Sequence, residues 1–302
     1  MSTLAEILYN IISPILLVVA VAFVADRHLD IDPRSLSRLL VYVFTPFLIF
    51  EGVAYSDLSG SEAGQLVAVA ILMSVGIALA AWMVAHWTRL DRRTAAAFTL
   101  SATLINAGNY GLPLNRFAFG GAGEERALVF FIATVVVSYT LGVFLASFGN
   151  LSARLALRNV FSVPLVYAAL LGVVVNLLNV DLPLPVTRAV GLMADASIPA
   201  MLAVLGVQLS RASVRGRIQP IVLASALRLL LGPLIAVGLV ALLGLEGLTR
   251  QVAIVQSAMP TAVVTGVLAI EFGADAELVT ATILVSTVAS VITLSMLLSW
   301  LM

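Results

Sequence analysis

The stretch Ser101-Ala-Thr-Leu-Ile-Asn-Ala-Gly-Asn-Tyr-Gly-Leu-Pro113 lies in the middle of a segment that is apolar and long enough to cross a membrane. Its two glycines favour open backbone, its proline has no N–H to donate to the preceding turn, and its two asparagines bring amide groups. A bilayer tolerates unwound backbone only where protein encloses it or where it lines a water-filled cavity. The sequence therefore predicts a helix that is broken at membrane depth.

A second interrupted segment, Gln256-Ser-Ala-Met-Pro-Thr-Ala-Val-Val-Thr-Gly266, follows about half a chain later. Two broken helices in corresponding halves are the best sequence indication of a secondary transporter's binding site. The N-termini of half-helices suit an anion, and their C-terminal carbonyls suit Na⁺ or a proton carrier. We therefore expect a substrate site built from both breaks. Its candidate residues are Asn106, Gly108, Asn109, Gly111, Pro113, Gln256, Pro260 and Thr261.

The composition indicates an all-α integral membrane protein. With 302 residues, 61% of them hydrophobic and 11% charged, and a mean hydropathy of +1.11, the chain is too apolar for an ordinary soluble domain. The absence of cysteine excludes disulfides, and the formal net charge of zero predicts no binding to nucleic acid. Because no hydrolase, metalloprotease or nucleotide-binding motif occurs, we expect neither an enzyme nor a resident cofactor.

The hydrophobic segments predict ten membrane spans. Eleven arginines fall in the connectors that follow odd-numbered spans and only four in the others, so the positive-inside rule places both termini outside the cell. The predicted spans are 4–25, 36–55, 64–87, 94–118, 125–148, 160–179, 187–210, 218–243, 249–271 and 276–301.

Weak internal similarity suggests that the second half of the chain repeats the first. The matching pairs are Pro46 with Pro199 and Gly120 with Gly273, each 153 positions apart, and Gly111 with Gly266, 155 positions apart. Five spans per half would insert the second copy upside down. Chance matches in a chain rich in Gly and Ala are the alternative. We expect two inverted five-helix repeats, 1–148 and 160–302, joined by a short cytoplasmic connector at 149–159.

Arg228 is predicted to lie near the middle of the eighth span. An arginine at this depth costs about 2.5–3.5 kcal/mol on insertion scales, so it should face a partner or water. It is either a counter-charge for a substrate carboxylate or part of a structural ion pair with Asp195 or Glu51, and the sequence leaves both open. Any Na⁺ site is expected near Thr103 and Thr265, which lie on the polar faces that lead to the two breaks.

Two motifs, Asn106-Ala-Gly-Asn-Tyr-Gly-Leu-Pro-Leu114 and Ala258-Met-Pro-Thr-Ala-Val-Val-Thr-Gly-Val-Leu-Ala269 with the following Phe272-Gly-Ala-Asp275, resemble the auxin efflux carrier family. That family includes plant PIN-FORMED proteins and bacterial malate and malonate carriers, and the resemblance covers the whole chain. It implies the inverted five-plus-five fold of the sodium/bile acid symporters, with helices 4 and 9 crossing at their breaks. Helices 1, 2, 6 and 7 would form a scaffold that pairs into a homodimer, and helices 3–5 and 8–10 would form a moving transport domain.

The same resemblance assigns Asn106 to the position that holds the substrate carboxylate, and Pro113 and Pro260 to helix-breaking positions. Plant members carry an Asp and a Lys in the third span, and this chain has neither between Ala63 and Trp82. The resemblance therefore leaves coupling to Na⁺ or H⁺ open.

The hypothesis from the sequence is export of a small organic anion by elevator-type alternating access. The substrate would be an auxin-like monocarboxylate or a malate- or malonate-like dicarboxylate. The alternative is a sodium-coupled importer of organic anions, of the bile acid symporter type. A passive channel or a non-transporting sensor is a third option, and the paired breaks argue against a channel. The expected partners are the anion and the lipid bilayer.

Overall fold

The computed structural model describes residues 4–147, 158, 160–214 and 216–302. In these residues the regular secondary structure is helical, and no strand occurs beyond one isolated β-bridge. Eleven helices of nine or more residues can be distinguished there, which confirms the all-α expectation. They are α1 (Leu4–Leu29), α2 (Pro33–Ala54), α3 (Gly60–Trp87), α4 (Arg92–Thr103), α5 (Ala107–Ala146), α6 (Pro164–Leu178), α7 (Leu184–Arg211), α8 (Ile218–Leu242), α9 (Gly247–Ser257), α10 (Val264–Phe272) and α11 (Ala276–Leu301).

Seven of these helices in the described residues are long and apolar enough to cross a membrane, namely α1, α2, α3, α5, α7, α8 and α11. Helix α6 is apolar but has only 15 residues. Helices α4, α9 and α10, with 12, 11 and 9 residues, are too short to cross a hydrocarbon layer of about 30 Å at about 1.5 Å per residue. The predicted spans 94–118 and 249–271 are therefore both interrupted, as the sequence predicts.

Polar side chains mark where several helices begin. Ser59 and Glu62 form a capping box at the start of α3, in which the Ser59 hydroxyl accepts from the Glu62 backbone N–H. Asp91 accepts from the backbone N–H of Thr94 at the start of α4, and Asp275 caps α11 in the same way. Such caps satisfy N–H groups that have no partner within the helix, and each typically contributes about 1 kcal/mol.

Helix α5 differs from the expectation of two separate spans at 94–118 and 125–148. The helical segment runs from Ala107 to Ala146, and a kink at Gly120 (φ 68°, ψ −161°) stands where the connector was predicted. A straight helix of 40 residues would be about 60 Å long, twice the thickness of the hydrocarbon layer. Left-handed backbone at Gly120, which glycine adopts without strain, therefore interrupts the helical path at the point where a span must end.

Two close helix contacts, of α1 with α7 and of α2 with α6, are made through glycines. An added Cβ at Gly206 of α7 would stand 2.4 Å from the carbonyl oxygen of Val19 in α1, and one at Gly172 of α6 would stand 2.9 Å from the Cβ of Val53 in α2. Small residues let helix backbones approach this closely in a membrane. The two contacts are related by one offset, because Gly172 follows Val19 and Gly206 follows Val53 by 153 positions (172 − 19 and 206 − 53).

Residues with left-handed backbone also recur at an offset of about 153 positions, close to that of the glycine contacts. Gly120 (φ 68°) and Gly273 (φ 73°) are 153 positions apart (273 − 120), and each ends the half-helix that follows a break. Arg89 (φ 53°) and Gly244 (φ 68°) are 155 positions apart (244 − 89), just after α3 and α8 respectively. The chain therefore changes direction at corresponding points of its two halves.

The helices fall into two packing groups. Helix α1 packs against α7, and α2 packs against both α6 and α7. Helices α3, α4, α5, α8, α9 and α11 pack mainly on one another, and α3 contacts both α4 and α9, which lead into the breaks. The connector predicted at 149–159 lies outside the described residues except for Arg158.

Candidate functional site

The two helix breaks lie against each other. Helix α4 ends at Thr103 and α5 begins at Ala107, while α9 ends at Ser257 and α10 begins at Val264. Between these ends, Ile105 and Thr261 form an antiparallel β-bridge. The Asn106 N–H donates to the Pro260 carbonyl (2.8 Å), and the Ala262 N–H donates to the Leu104 carbonyl (2.9 Å). Each break thus supplies hydrogen-bond partners that the other lacks, which unwound backbone requires away from water.

Thr261 is fixed by contacts on both sides of the second break. Its backbone N–H donates to Ser286 Oγ of α11 (3.2 Å), and its own hydroxyl donates to the carbonyl oxygen of Ser101 in α4 (2.9 Å). The preceding Pro260 has no N–H, so only its carbonyl needs a partner, and Asn106 provides it. The predicted residues Asn106, Pro260 and Thr261 are therefore brought together.

Gln256, the next predicted residue, is fully buried at the end of α9. Its Nε2 donates to the carbonyl oxygens of Ala107 (3.3 Å) and Ala127 (3.1 Å) in α5. An added Cβ at Gly111 would stand 2.2 Å from Gln256 Oε1, which leaves no room for a side chain. Position 111 therefore needs glycine because the Gln256 side chain lies against its backbone, and not because the backbone there must be flexible. Similarly, a Cβ at Gly108 would stand 2.7 Å from the ring of Phe131.

The first break lies earlier in the chain than the glycines and the proline suggested. Only Leu104–Asn106 is non-helical, and Ala107–Gly111 forms a π-helical turn in which the Gly111 N–H donates to the Asn106 carbonyl (3.0 Å). Pro113 lies within helix α5, directly after this π-helical turn, and not in the non-helical stretch. The expectation that Pro113 breaks the helix is therefore wrong, whereas Pro260 does lie in the second break.

Arg228 lies in a π-helical turn of α8, Leu227–Leu231, and its side chain is fully buried. Its Nη1 donates to the carbonyl oxygens of Ala102 (3.2 Å) and Thr103 (3.3 Å), the last two residues of α4. Its Nη2 donates to the carbonyl oxygen of Ser257, the last residue of α9. The guanidinium therefore joins the C-terminal ends of the two half-helices that lead into the breaks.

An ion pair of Arg228 with Asp195 or Glu51 was one of the two alternatives that the sequence left open, and it does not occur among the described residues. No ion pair involves Arg228 in the part of the chain that the structure describes. Asp195 and Glu51 instead line, with Arg116 and Glu124, a cavity of about 160 Å³ where α2, α5 and α7 meet. Carbonyls can take the place of carboxylates because the C-terminal end of a helix carries a partial negative charge.

Several buried polar atoms beside the breaks have no hydrogen-bond partner among the described residues. Among them are Asn106 Nδ2, Gln256 Oε1, Ser257 Oγ and Thr265 Oγ1. Buried polar atoms are nearly always paired in native proteins, so these atoms are candidates for contact with a polar molecule or ion. Of the two threonines expected near a Na⁺ site, Thr103 donates to the Thr99 carbonyl (2.7 Å), and only Thr265 has a hydroxyl without a partner. Asn109, the remaining predicted residue, is partly exposed.

Two residues that the sequence analysis did not single out support the site. Ser286 accepts the Thr261 N–H, and Gly232 makes room for Arg228, because an added Cβ there would stand 1.9 Å from Arg228 Nη2. Neither residue carries a local sequence signal, since serine and glycine are common in membrane helices and the contacts join different helices. A periodicity of serines along α11 would have been the only indication.

Comparison with known proteins identifies transporters. The family model described as "membrane transport protein" matches residues 7–150 and 147–298. An uncharacterised transporter of Methanothermobacter thermautotrophicus is 32% identical over 268 residues, which cover 87% of this chain and 87% of the relative. An uncharacterised transporter of Methanocaldococcus jannaschii is 23% identical over 270 residues, which cover 87% of this chain and 88% of the relative. Transporters are generally not enzymes, in line with the expectation from the sequence.

Proposed function

Because the chain belongs to the membrane transport protein family, that of the auxin efflux carriers, we propose that this membrane transporter exports small organic anions. The substrate is an auxin-like monocarboxylate or a malate- or malonate-like dicarboxylate. The site lies at the paired breaks and includes the predicted residues of both segments. No coupling ion is needed, because moving an anion out of a cell with a negative interior releases about 2.3 kcal/mol per charge per 100 mV.

The observation that carries this proposal is the free amide of Asn106. The backbone of Asn106 is held by Pro260, whereas its Nδ2 is buried and has no partner among the residues that the structure describes. An amide N–H is a suitable donor for a carboxylate oxygen. Helix α5 begins at the next residue, and the N-terminal end of a helix carries a partial positive charge that favours an anion. Asn106 and the start of α5 would therefore hold the carboxylate together.

The proposed architecture is a ten-span inverted repeat with the fourth and ninth spans crossing at their breaks. The fourth span would comprise α4 and the part of α5 before Gly120, and the ninth would comprise α9 and α10. The reciprocal contacts of Gly172 with Val53 and of Gly206 with Val19 support it, because one offset of 153 relates them. The excess of arginine in the odd-numbered connectors supports placing both termini outside.

Movement of one helix group against the other would provide alternating access. Helices α1, α2, α6 and α7 would form the scaffold, consistent with their contacts, and the remaining helices would carry the site as a transport domain. The scaffold would also form the homodimer contact. Exposed apolar residues on α6, such as Leu170, Leu171 and Leu177, give it a surface that can face lipid or a second copy.

Efflux from proteoliposomes tests the proposed function. Vesicles loaded with labelled malate or indole acetate should lose the label faster when the interior is negative than at zero potential. Asn106→Ala should lower this efflux, because the free amide is removed. Asn176→Ala is the matched control, since the Asn176 amide donates to the carbonyls of Ala54 and Ser56 in the proposed scaffold. Equal efflux from Asn106→Ala and the parent protein would show that the site is assigned wrongly.

A further inference from the structure

We propose that Arg228 is a built-in cation, occupying the carbonyl site where a coupling ion would otherwise bind, so that transport needs no Na⁺. This inference rests on the proposed function, because it concerns the coupling of that transport. It differs from both roles that the sequence suggested for Arg228, since the guanidinium donates to backbone carbonyls and pairs with no carboxylate of the described residues. The guanidinium instead donates hydrogen bonds to the C-terminal ends of α4 and α9.

The contacts of Arg228 are those that a bound cation would make. In transporters with broken helices, the carbonyls at half-helix C-termini coordinate the coupling Na⁺ or proton carrier. Here the carbonyls of Ala102, Thr103 and Ser257 at the ends of α4 and α9 accept N–H groups of the guanidinium. The three carbonyl oxygens come from both breaks, so the side chain joins the same two elements that an ion would join.

The charges of these groups balance without an acidic residue. The C-terminal end of a helix is equivalent to roughly −0.5 of an elementary charge, so the two ends together present about −1 to the guanidinium. Arg228 contributes one positive charge and is fully buried. An uncompensated charge at this depth would be costly, and no carboxylate pairs with Arg228 in the described residues. The two half-helices therefore provide the compensation.

The surrounding chain is shaped to hold this side chain. Gly232 lies four residues after Arg228, where a Cβ would stand 1.9 Å from Nη2 and 2.6 Å from the Ser257 carbonyl oxygen. The Sδ of Met73 on α3 lies 3.6 Å from Nη2 on another side. The guanidinium thus occupies the position beside these three carbonyls. Because arginine does not lose its proton in proteins, Arg228 is also unable to act as a proton carrier.

The first test uses the parent protein. Its unfolding temperature and its anion efflux should be the same in sodium chloride and in choline chloride, since the site already holds a cation. A rise in unfolding temperature with Na⁺, or efflux that vanishes without Na⁺, would overturn the inference. A rise in unfolding temperature with Na⁺ beside unchanged anion efflux would overturn this inference alone, whereas a lack of efflux for every anion tested, with an unfolding temperature that does not depend on Na⁺, would overturn the proposed function alone.

The second test replaces the built-in cation with a free one. Arg228→Ala opens a space beside the carbonyls, and guanidinium chloride at about 10 mM, far below denaturing concentrations, should raise its unfolding temperature by about 5 °C. Arg228→Met is the matched control, because its side chain fills much of the space without charge and should show no such rise. Efflux by Arg228→Ala should recover with guanidinium.

If guanidinium raises the unfolding temperature of Arg228→Ala and not that of Arg228→Met, the inference is supported, even if no anion is transported. Equal responses of the alanine and methionine variants to guanidinium would overturn it. If the alanine variant does not fold without guanidinium and folds in its presence, the inference is also supported. If it folds under neither condition, the sodium independence of the parent protein decides the question.

Discussion

The backbone N–H of Asn106 donates a hydrogen bond of 2.8 Å to the carbonyl oxygen of Pro260, and this contact joins two helix breaks that are 154 positions apart (260 − 106). The reciprocal bond from Ala262 to Leu104 closes a short antiparallel pairing. Because each break supplies backbone partners to the other, the hydrogen bonds of Asn106 to the second break come from its backbone, and its Nδ2 has no partner among the described residues. The proposed site therefore uses the side chain of Asn106 for the substrate, while the backbone of the same residue joins the two breaks.

Substitution of Gly111 should show how tightly the site is packed. Gly111→Ala places a Cβ 2.2 Å from Gln256 Oε1 and should destabilise the protein by about 1–3 kcal/mol, measured as a lower unfolding temperature in detergent. Gly238→Ala is the control, because nothing lies within 4 Å of its added Cβ. If Gly111→Ala unfolds at the same temperature as Gly238→Ala, the packing described here is incorrect. The double variant with Gln256→Ala should lose less stability than the two single losses combined.

Loss of the Ser286 hydroxyl should weaken the second break. Ser286→Ala leaves the buried N–H of Thr261 without its acceptor, and an unsatisfied buried donor costs about 1–3 kcal/mol. Ser295→Ala, in the same helix, removes a hydroxyl that donates only to the Val291 carbonyl and should cost less. Thermal unfolding of the two purified variants compares them directly. A larger loss for Ser295→Ala would argue against the assigned role of Ser286.

The reciprocal glycine contacts predict matched effects in the two halves of the chain. Gly206→Ala and Gly172→Ala should both lower the unfolding temperature, because each added Cβ meets backbone or a β-branched side chain of the facing helix. Gly206→Ala should lower the unfolding temperature more, since its added Cβ would stand 2.4 Å from the carbonyl oxygen of Val19, a backbone atom with little freedom to move. A neutral effect at both positions would contradict the close approach of α1 to α7 and of α2 to α6.

The helix cap at Asp91 should make the start of α4 sensitive to acid. Hydrogen bonds from the side chain and backbone N–H of Thr94 hold the pKa of Asp91 below its ordinary value of 3.8. Because the folded-state pKa is lowered, the stabilisation is complete above that ordinary value and is lost as the pH falls through the lowered one. The parent protein should therefore lose its stability advantage over Asp91→Ala at acidic pH, measured by thermal unfolding in a pH series. An advantage that grew on acidification would contradict this assignment.

The sequence predicted that both spans are interrupted, because proline, glycine and amide residues come together within each of them. It did not predict the hydrogen bonds between the two breaks, nor that the first break lies at Leu104–Asn106, ahead of its glycines and proline. It did not predict why Gly111 is glycine, since the reason is the side chain of Gln256, which lies on another helix. The partners of Arg228 were also missed. They are backbone carbonyls more than 25 positions away, and because every residue has a carbonyl, the residue types do not indicate which ones accept from Arg228. The kink at Gly120 replaced a predicted connector because helical hydrogen bonding continues on both sides of it.

The central claim, that the paired breaks hold a carboxylate through Asn106, is tested most directly by ligand binding to the purified protein. A panel of malate, malonate and indole acetate should include a ligand that raises the unfolding temperature of the parent and of Asn176→Ala, because a ligand that prefers the native state stabilises it by mass action. Asn106→Ala should lose most of that rise while remaining folded. An equal rise in Asn106→Ala would contradict the claim.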